Sequence, residues 1–237
     1  LVAKAVDARY RATGRTLTLR APRVVLACGA MLTPALLAKN GFARGNRHLG
    51  CHLNIHPASK VAAEFDEDIR QWEGIPQAYG YDGLHEDGIK FEGISMPPDV
   101  GPSAIPLLGE RLAHYTRHYR NITTFGFMIS DTAEGAMWRV PGYGPVFQYS
   151  LNHADTERFK RAIVFLAKLY LENGAKRAWA MVRRADNEFS SIADVDRFAE
   201  KPIDARDIEA MAFHPLATCR MARRAEEGVC GQDHQVF

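Results

Sequence analysis

Val24-Val25-Leu26-Ala27-Cys28-Gly29-Ala30 decides how this chain is read. A short, unbroken apolar run that ends in glycine fits a strand buried on both faces, as in a parallel sheet. Thr33-Pro34 follows, an N-cap residue with proline at the first helical position, and predicts a helix that runs to Lys39 and stops at Asn40-Gly41. Strand, glycine turn and helix in that order are the grammar of an α/β nucleotide-binding fold, whose ligands sit at the carboxyl ends of the strands. Cys28, Gly29 and Ala30 are therefore candidate cofactor-binding residues, because a glycine there lets a ligand approach the backbone. The same residues also suit a tight strand-to-helix turn with no ligand.

Outward from this stretch, Leu1 to Ala8 alternates loosely between apolar and polar residues. Thr16-Leu17-Thr18-Leu19 does the same after the turn-like Ala12-Thr13-Gly14-Arg15, and the pair predicts a β-hairpin. Beyond Pro57 the grammar changes. Residues 61–65, 89–95, 123–129 and 146–151 read as strands, separated by loops that hold most of the prolines. Residues 104–119 and 155–173 read as helices; in the second, Ile163, Leu166, Leu169 and Tyr170 recur at helical spacing before Asn173-Gly174. The fold class expected is α/β plus α+β: part of a Rossmann-like nucleotide-binding domain (1–56, and again 206–237) with an inserted antiparallel-sheet domain (57–205).

At 237 residues and 46% hydrophobic, the chain has enough apolar material for one or two cores. The net charge of +2 is spread out, with no basic patch of the kind that binds nucleic acid. Four widely separated cysteines, Cys28, Cys51, Cys219 and Cys230, read as reduced thiols, which favours a cytoplasmic setting. No apolar run reaches the ~20 residues of a membrane span. The chain starts at Leu1 without a methionine, so a missing true N-terminus is expected.

Two histidine-bearing stretches carry candidate chemistry. His48, His52 and His56 are spaced by four, beside Cys51. Gly50, Asn54 and Pro57 oppose the single helix that would bring the three together, so the segment reads as a solvated loop and no metal site is expected. The other stretch is His214-Pro215-Leu216-Ala217-Thr218-Cys219-Arg220-Met221. A neutral imidazole with an ordinary pKa near ~6.5 suits the removal of a hydroxyl proton, and a positioned base of this kind contributes ~10²–10⁴-fold. Read alone, a histidine before proline also suits an ordinary loop. Thr218, Cys219 and Arg220 read as support for that loop.

The string from His214 to Met221 resembles the His-Pro-x-Gly-Thr-Cys-Arg-Met signature of the glucose–methanol–choline (GMC) family of flavin oxidoreductases. Gly29-Ala30-Met31-Leu32-Thr33-Pro34, continuing through the leucines to Asn40-Gly41-Phe42-Ala43, resembles a second signature of that family. Ala217, Ala222 and Ala43 stand where the family prefers glycine, and Asn40 where it has serine. Gly45, Leu49, His56 and Pro57 are similar to the stretch that leads from the flavin domain to the substrate domain. Asp131, Gly135, Trp138, Pro145, Tyr149, Asp155 and Gly174-Ala175 resemble the substrate-domain pattern.

The resemblance implies FAD as cofactor, with Cys28, Gly29 and Ala30 against its ADP half and Val2 in backbone contact with adenine. It implies His214 as the catalytic base, taking the proton of an alcohol while hydride passes to the flavin, and His56 as a structural histidine. The acceptor would be oxygen or a quinone-type carrier, and the substrate a bulky apolar alcohol or sterol. The family's Gly-x-Gly-x-x-Gly loop is absent from this sequence, as is the segment that brings a second active-site histidine or asparagine. The resemblance thus implies the C-terminal portion of a family member, truncated at both ends. Two alternatives stay open: a non-redox lyase on the flavin scaffold, and an inactive fragment.

Overall fold

The computed structural model describes residues 3–140, 142–183 and 186–237. In chain order its elements are β1 (Ala5–Arg9), β2 (Thr16–Arg20), α1 (Gly29–Lys39), β3 (Ala58–Glu64), β4 (Gly80–Tyr81), β5 (Ile89–Ile94), α2 (Gly109–Arg117), β6 (Ile122–Ile129), β7 (Ala136–Val140), β8 (Gly144–Gln148), α3 (His153–Glu172), β9 (Arg177–Ala180), β10 (Glu188–Phe189) and α4 (Ile192–Glu200). They fall into two units. One holds Leu1–Leu53, Gly135–Gln148 and Pro215–Phe237; the other holds Asn54–Glu134 and Tyr149–His214.

In the first unit β1 and β2 form the expected antiparallel hairpin, with Ala5 opposite Arg20. Gly14 closes its turn at φ +68, a conformation glycine adopts without steric cost. Helix α1 departs from expectation at its start. It begins at Gly29 rather than after Thr33, and Pro34 lies inside it. Its end is as expected: Gly41 N–H bonds the Ala38 carbonyl and Phe42 N–H bonds the Leu37 carbonyl, a Schellman closure with Gly41 in the left-handed region. The predicted doubly buried strand is not formed. Residues 24–27 belong to no strand, and Val25 is 87% exposed. A parallel strand buried on both faces needs a strand on each side, and none of the described residues supplies one.

The second unit is built on a six-stranded sheet in the order β10-β9-β3-β6-β5-β4, antiparallel throughout. Side chains alternate along β3 and so feed two cores. Val61 and Ala63 join Phe91, Phe127, Phe159, Ile163 and Leu166 beneath α3. Ala62 joins Trp179, Met181, Tyr115 and Tyr119 on the opposite face. Phe91 and Phe127 are thereby core residues, whereas Tyr79 is exposed.

Helix α3 begins where the Asn152 side chain accepts the Asp155 N–H at 2.8 Å and ends in a second Schellman closure at Gly174. Asp155 is fully buried. Its carboxylate accepts from Thr132 N–H, the Thr132 hydroxyl, Ala133 N–H and the Arg158 guanidinium at 2.7–3.0 Å. Helix α2 is shorter than the 104–119 expected. Pro106 disfavours helical Ile105, and Gly109 sits at φ +58 where the helix starts. Among the described residues no helix is long and apolar enough to cross a membrane.

Candidate active site

Helix α1 carries the glycine-turn candidates. Gly29 has φ +73, and no atom lies within 4 Å of where a Cβ would sit. Cys28 is exposed beside it, with no side-chain cap and no acidic residue in the first turn. The helix thus opens without a side-chain cap, its first-turn backbone N–H groups facing open space, an arrangement suited to an anionic group. These residues fit part of a dinucleotide; the Gly-x-Gly-x-x-Gly loop that would hold the rest is not in the sequence. Val2 lies outside the described residues.

Pro34 has a consequence inside this helix. It has no N–H to offer the Ala30 carbonyl one turn earlier. That carbonyl is taken instead by the hydroxyl of Thr218, which is fully buried, at 2.5 Å. The Thr218 carbonyl in turn accepts the Gly50 N–H at 2.8 Å, and the Gly50 carbonyl accepts the Met137 N–H at 2.6 Å. Gly50 is required there, because a Cβ would run into the Met137 carbonyl. The loop after His214 is therefore tied to α1 through its threonine.

Around Thr218 the loop turns through Ala217 at φ +72, and Ala43 has φ +49. Two of the three alanines that replace family glycines thus sit in the left-handed region. Burial, reinforced by Cys230, pushes the Cys219 thiol up to about 11, so it stays protonated at neutral pH. This supports the reading of Cys219 as part of the loop's structure.

His48 and His52 stack at 5.2 Å between ring centroids. His48 Nε2 lies 2.7 Å from the Glu226 carbonyl, which can only accept, and His48 Nδ1 lies 2.9 Å from His52 Nε2. In the neutral pair His48 therefore donates through Nε2 and accepts at Nδ1.

The second unit holds His214, exposed, with His56 as its ring neighbour at 6.2 Å and an interplanar angle of 56°. His56 is held in an unusual backbone conformation, φ +46. The Asp131 carboxylate accepts the N–H groups of Ile55 and His56 at 3.0 and 3.2 Å and the Tyr149 hydroxyl at 2.7 Å. Burial and the Asp131 charge push the Tyr149 phenol well up, so it remains a donor. Asp131 and Tyr149 thus fix the backbone that presents His56 beside His214.

Lys60, in β3, gave no signal in the sequence. It is 2% exposed, its amine 3.6 Å from the Met96 sulfur, and among the described residues no carboxylate pairs with it. Burial lowers its pKa to about 8.

The two units combine helices with antiparallel sheets, and comparison with known proteins shows what the chain is similar to. Residues 2–58 match the GMC oxidoreductase family. A GMC-type oxidoreductase of Mycobacterium tuberculosis is 32% identical over 226 residues, spanning 94% of this chain and 35% of that protein. A long-chain-alcohol oxidase of Arabidopsis thaliana is 24% identical over 225 residues, spanning 86% of this chain and 30% of that protein. Formate oxidase of Aspergillus oryzae, studied for its FAD modification, superposes with a TM-score of 0.62 at 15% identity, over 98% of this chain and 50% of that one. Residues 2–58, and the similarity of the rest of the chain to GMC-type proteins, point to the GMC oxidoreductases, a family with FAD as cofactor. The chain spans about a third of the curated relatives it matches.

Proposed function

We propose that the protein carrying this chain oxidises an alcohol to a carbonyl compound, with His214 as the base. The observation that supports this most is the setting of His214. It is an exposed imidazole beside His56, followed by a loop whose threonine is fixed by the carbonyl that Pro34 frees. FAD, when bound, supplies the hydride acceptor, and the protein's part is to bind, orient and deprotonate.

Neutral His214 takes the hydroxyl proton as hydride leaves the carbinol carbon. The C–H and O–H bonds break, and the C=O bond forms. His56, with its backbone clamped by Asp131, limits where the His214 ring can go. Gly29 and the first turn of α1 leave room and backbone N–H groups for the ADP half of the cofactor. A long-chain or otherwise bulky apolar alcohol is the substrate class we favour, in keeping with the alcohol oxidases among the relatives. Oxygen or a quinone-type carrier would take the electrons.

The test is anaerobic mixing of the full-length protein with a panel of alcohols. Bleaching of the flavin bands by one of them is expected in the wild type and absent in His214→Ala. Unchanged reduction in His214→Ala would overturn the proposal.

A further inference from the structure

The sheet unit carries a second cluster of ligating side chains, remote in sequence from His214. Glu64 ends β3, His114 lies in α2, and His118 is the residue that caps α2 at its C-terminus. One ligand atom from each lies within 4.8 Å of the other two. We propose that Glu64, His114 and His118 form a zinc site of the two-histidine, one-carboxylate type with an open fourth position.

Four observations carry this. The i, i+4 spacing puts both imidazoles on one face of α2, and their rings stack at 4.1 Å. His118 Nδ1 lies 2.9 Å from the His114 carbonyl and donates to it. That bond fixes the tautomer and leaves the His118 Nε2 lone pair free, the outer-sphere arrangement typical of metal-binding histidines. Glu64 is a buried carboxylate whose Oε2 lies 2.8 Å from His114 Nε2, so two of the three ligand atoms already share one point. Finally, His114 lines an open cleft of about 300 Å³ with Trp179 and Arg177, which gives an ion and a fourth ligand a way in.

Ligands about 2 Å from a tetrahedral zinc lie a little over ~3 Å apart, a spacing that small rotations of the two half-buried imidazoles reach. Coordination through His114 Nε2 moves that ring's proton to Nδ1, so the neutral histidine loses no proton overall. Arg177 Nε lies 3.1 Å from the same Glu64 oxygen. A neighbouring cation weakens metal binding, which makes this an exchangeable site rather than a structural one. Arg177 is itself drawn aside by Glu188 at 3.1 Å.

Zinc chloride titrated into the purified chain, followed by calorimetry, tests the proposal, with Co²⁺ as an optical probe of tetrahedral coordination. One ion per chain is expected. His118→Ala should weaken binding by about tenfold or more. It leaves the Glu64–His114 pair in place, and circular dichroism would confirm the fold. His48→Ala, which alters the other histidine pair, should leave the affinity unchanged. Failure of the wild type to bind zinc would overturn the proposal, as would undiminished binding in folded His118→Ala. A trio acting solely as an ion-pair network predicts one of those two results.

Discussion

Ala217 and Ala43 hold a backbone conformation that costs a side-chain-bearing residue about 1–2 kcal/mol, against up to ~1 kcal/mol of extra chain entropy lost by glycine. Ala217→Gly and Ala43→Gly should each stabilise the chain by about 0.5 kcal/mol, read as higher urea midpoints. Lys60 makes a prediction that depends on pH. Burial holds its folded pKa near 8, whereas the unfolded chain keeps the proton up to its ordinary 10.5. Between those values the unfolded state binds more protons, so this residue's penalty is full below about pH 8 and fades as pH rises toward about 10.5. Lys60→Met should therefore stabilise by up to about 3 kcal/mol near pH 7, with the gain shrinking by about pH 10. Parallel denaturant titrations at the two pH values measure it. At this scale the sequence showed His214 through its motif but not Lys60, because one lysine in an apolar strand carries no periodic mark of burial.

Between elements, the link from Thr218 to α1 has a defined energetic signature. Thr218→Val leaves the part-buried Ala30 carbonyl without this donor and should cost about 1–2 kcal/mol. Pro34→Ala restores a backbone N–H to that carbonyl. In that background the cost of Thr218→Val should fall by about 1 kcal/mol, a coupling that a double-mutant cycle reads directly. Additive effects would show that the two residues do not share the carbonyl.

Strong local signals made most elements legible. The hairpin, β3, β5, β6 and α3 lie close to where alternation, helical spacing and the Asn-Gly stop place them. Five elements were not read: strands β4, β7, β9 and β10, and helix α4. Strands β4, β9 and β10 are too short for a period to show. Helix α4 did carry a signal, Ser191 three residues before Asp194, and the Ser191 hydroxyl accepts that residue's N–H at 3.2 Å. The 24–27 run misled because an apolar run reports a demand for burial, which partner strands must meet. At the site, the glycine turn and His214 were legible from their motifs. The clamp of Asp131 on His56 was not, since it joins residues 75 apart.

For the molecule as a whole, the missing Gly-x-Gly-x-x-Gly loop predicts that the purified 237-residue chain binds FAD weakly or not at all, measured as flavin absorbance retained after desalting. Tight, stoichiometric yellow colour would show that α1 and its surroundings suffice. The buried Asp155 carboxylate has its own consequence at this scale. The amides of Thr132 and Ala133 belong to no strand or helix, yet both donate to a carboxylate buried in the first turn of α3. Their exchange with deuterated solvent cannot follow the fast course of ordinary loop amides. It should be as slow as exchange from the centre of β6, and both should report the free energy of opening the whole sheet unit.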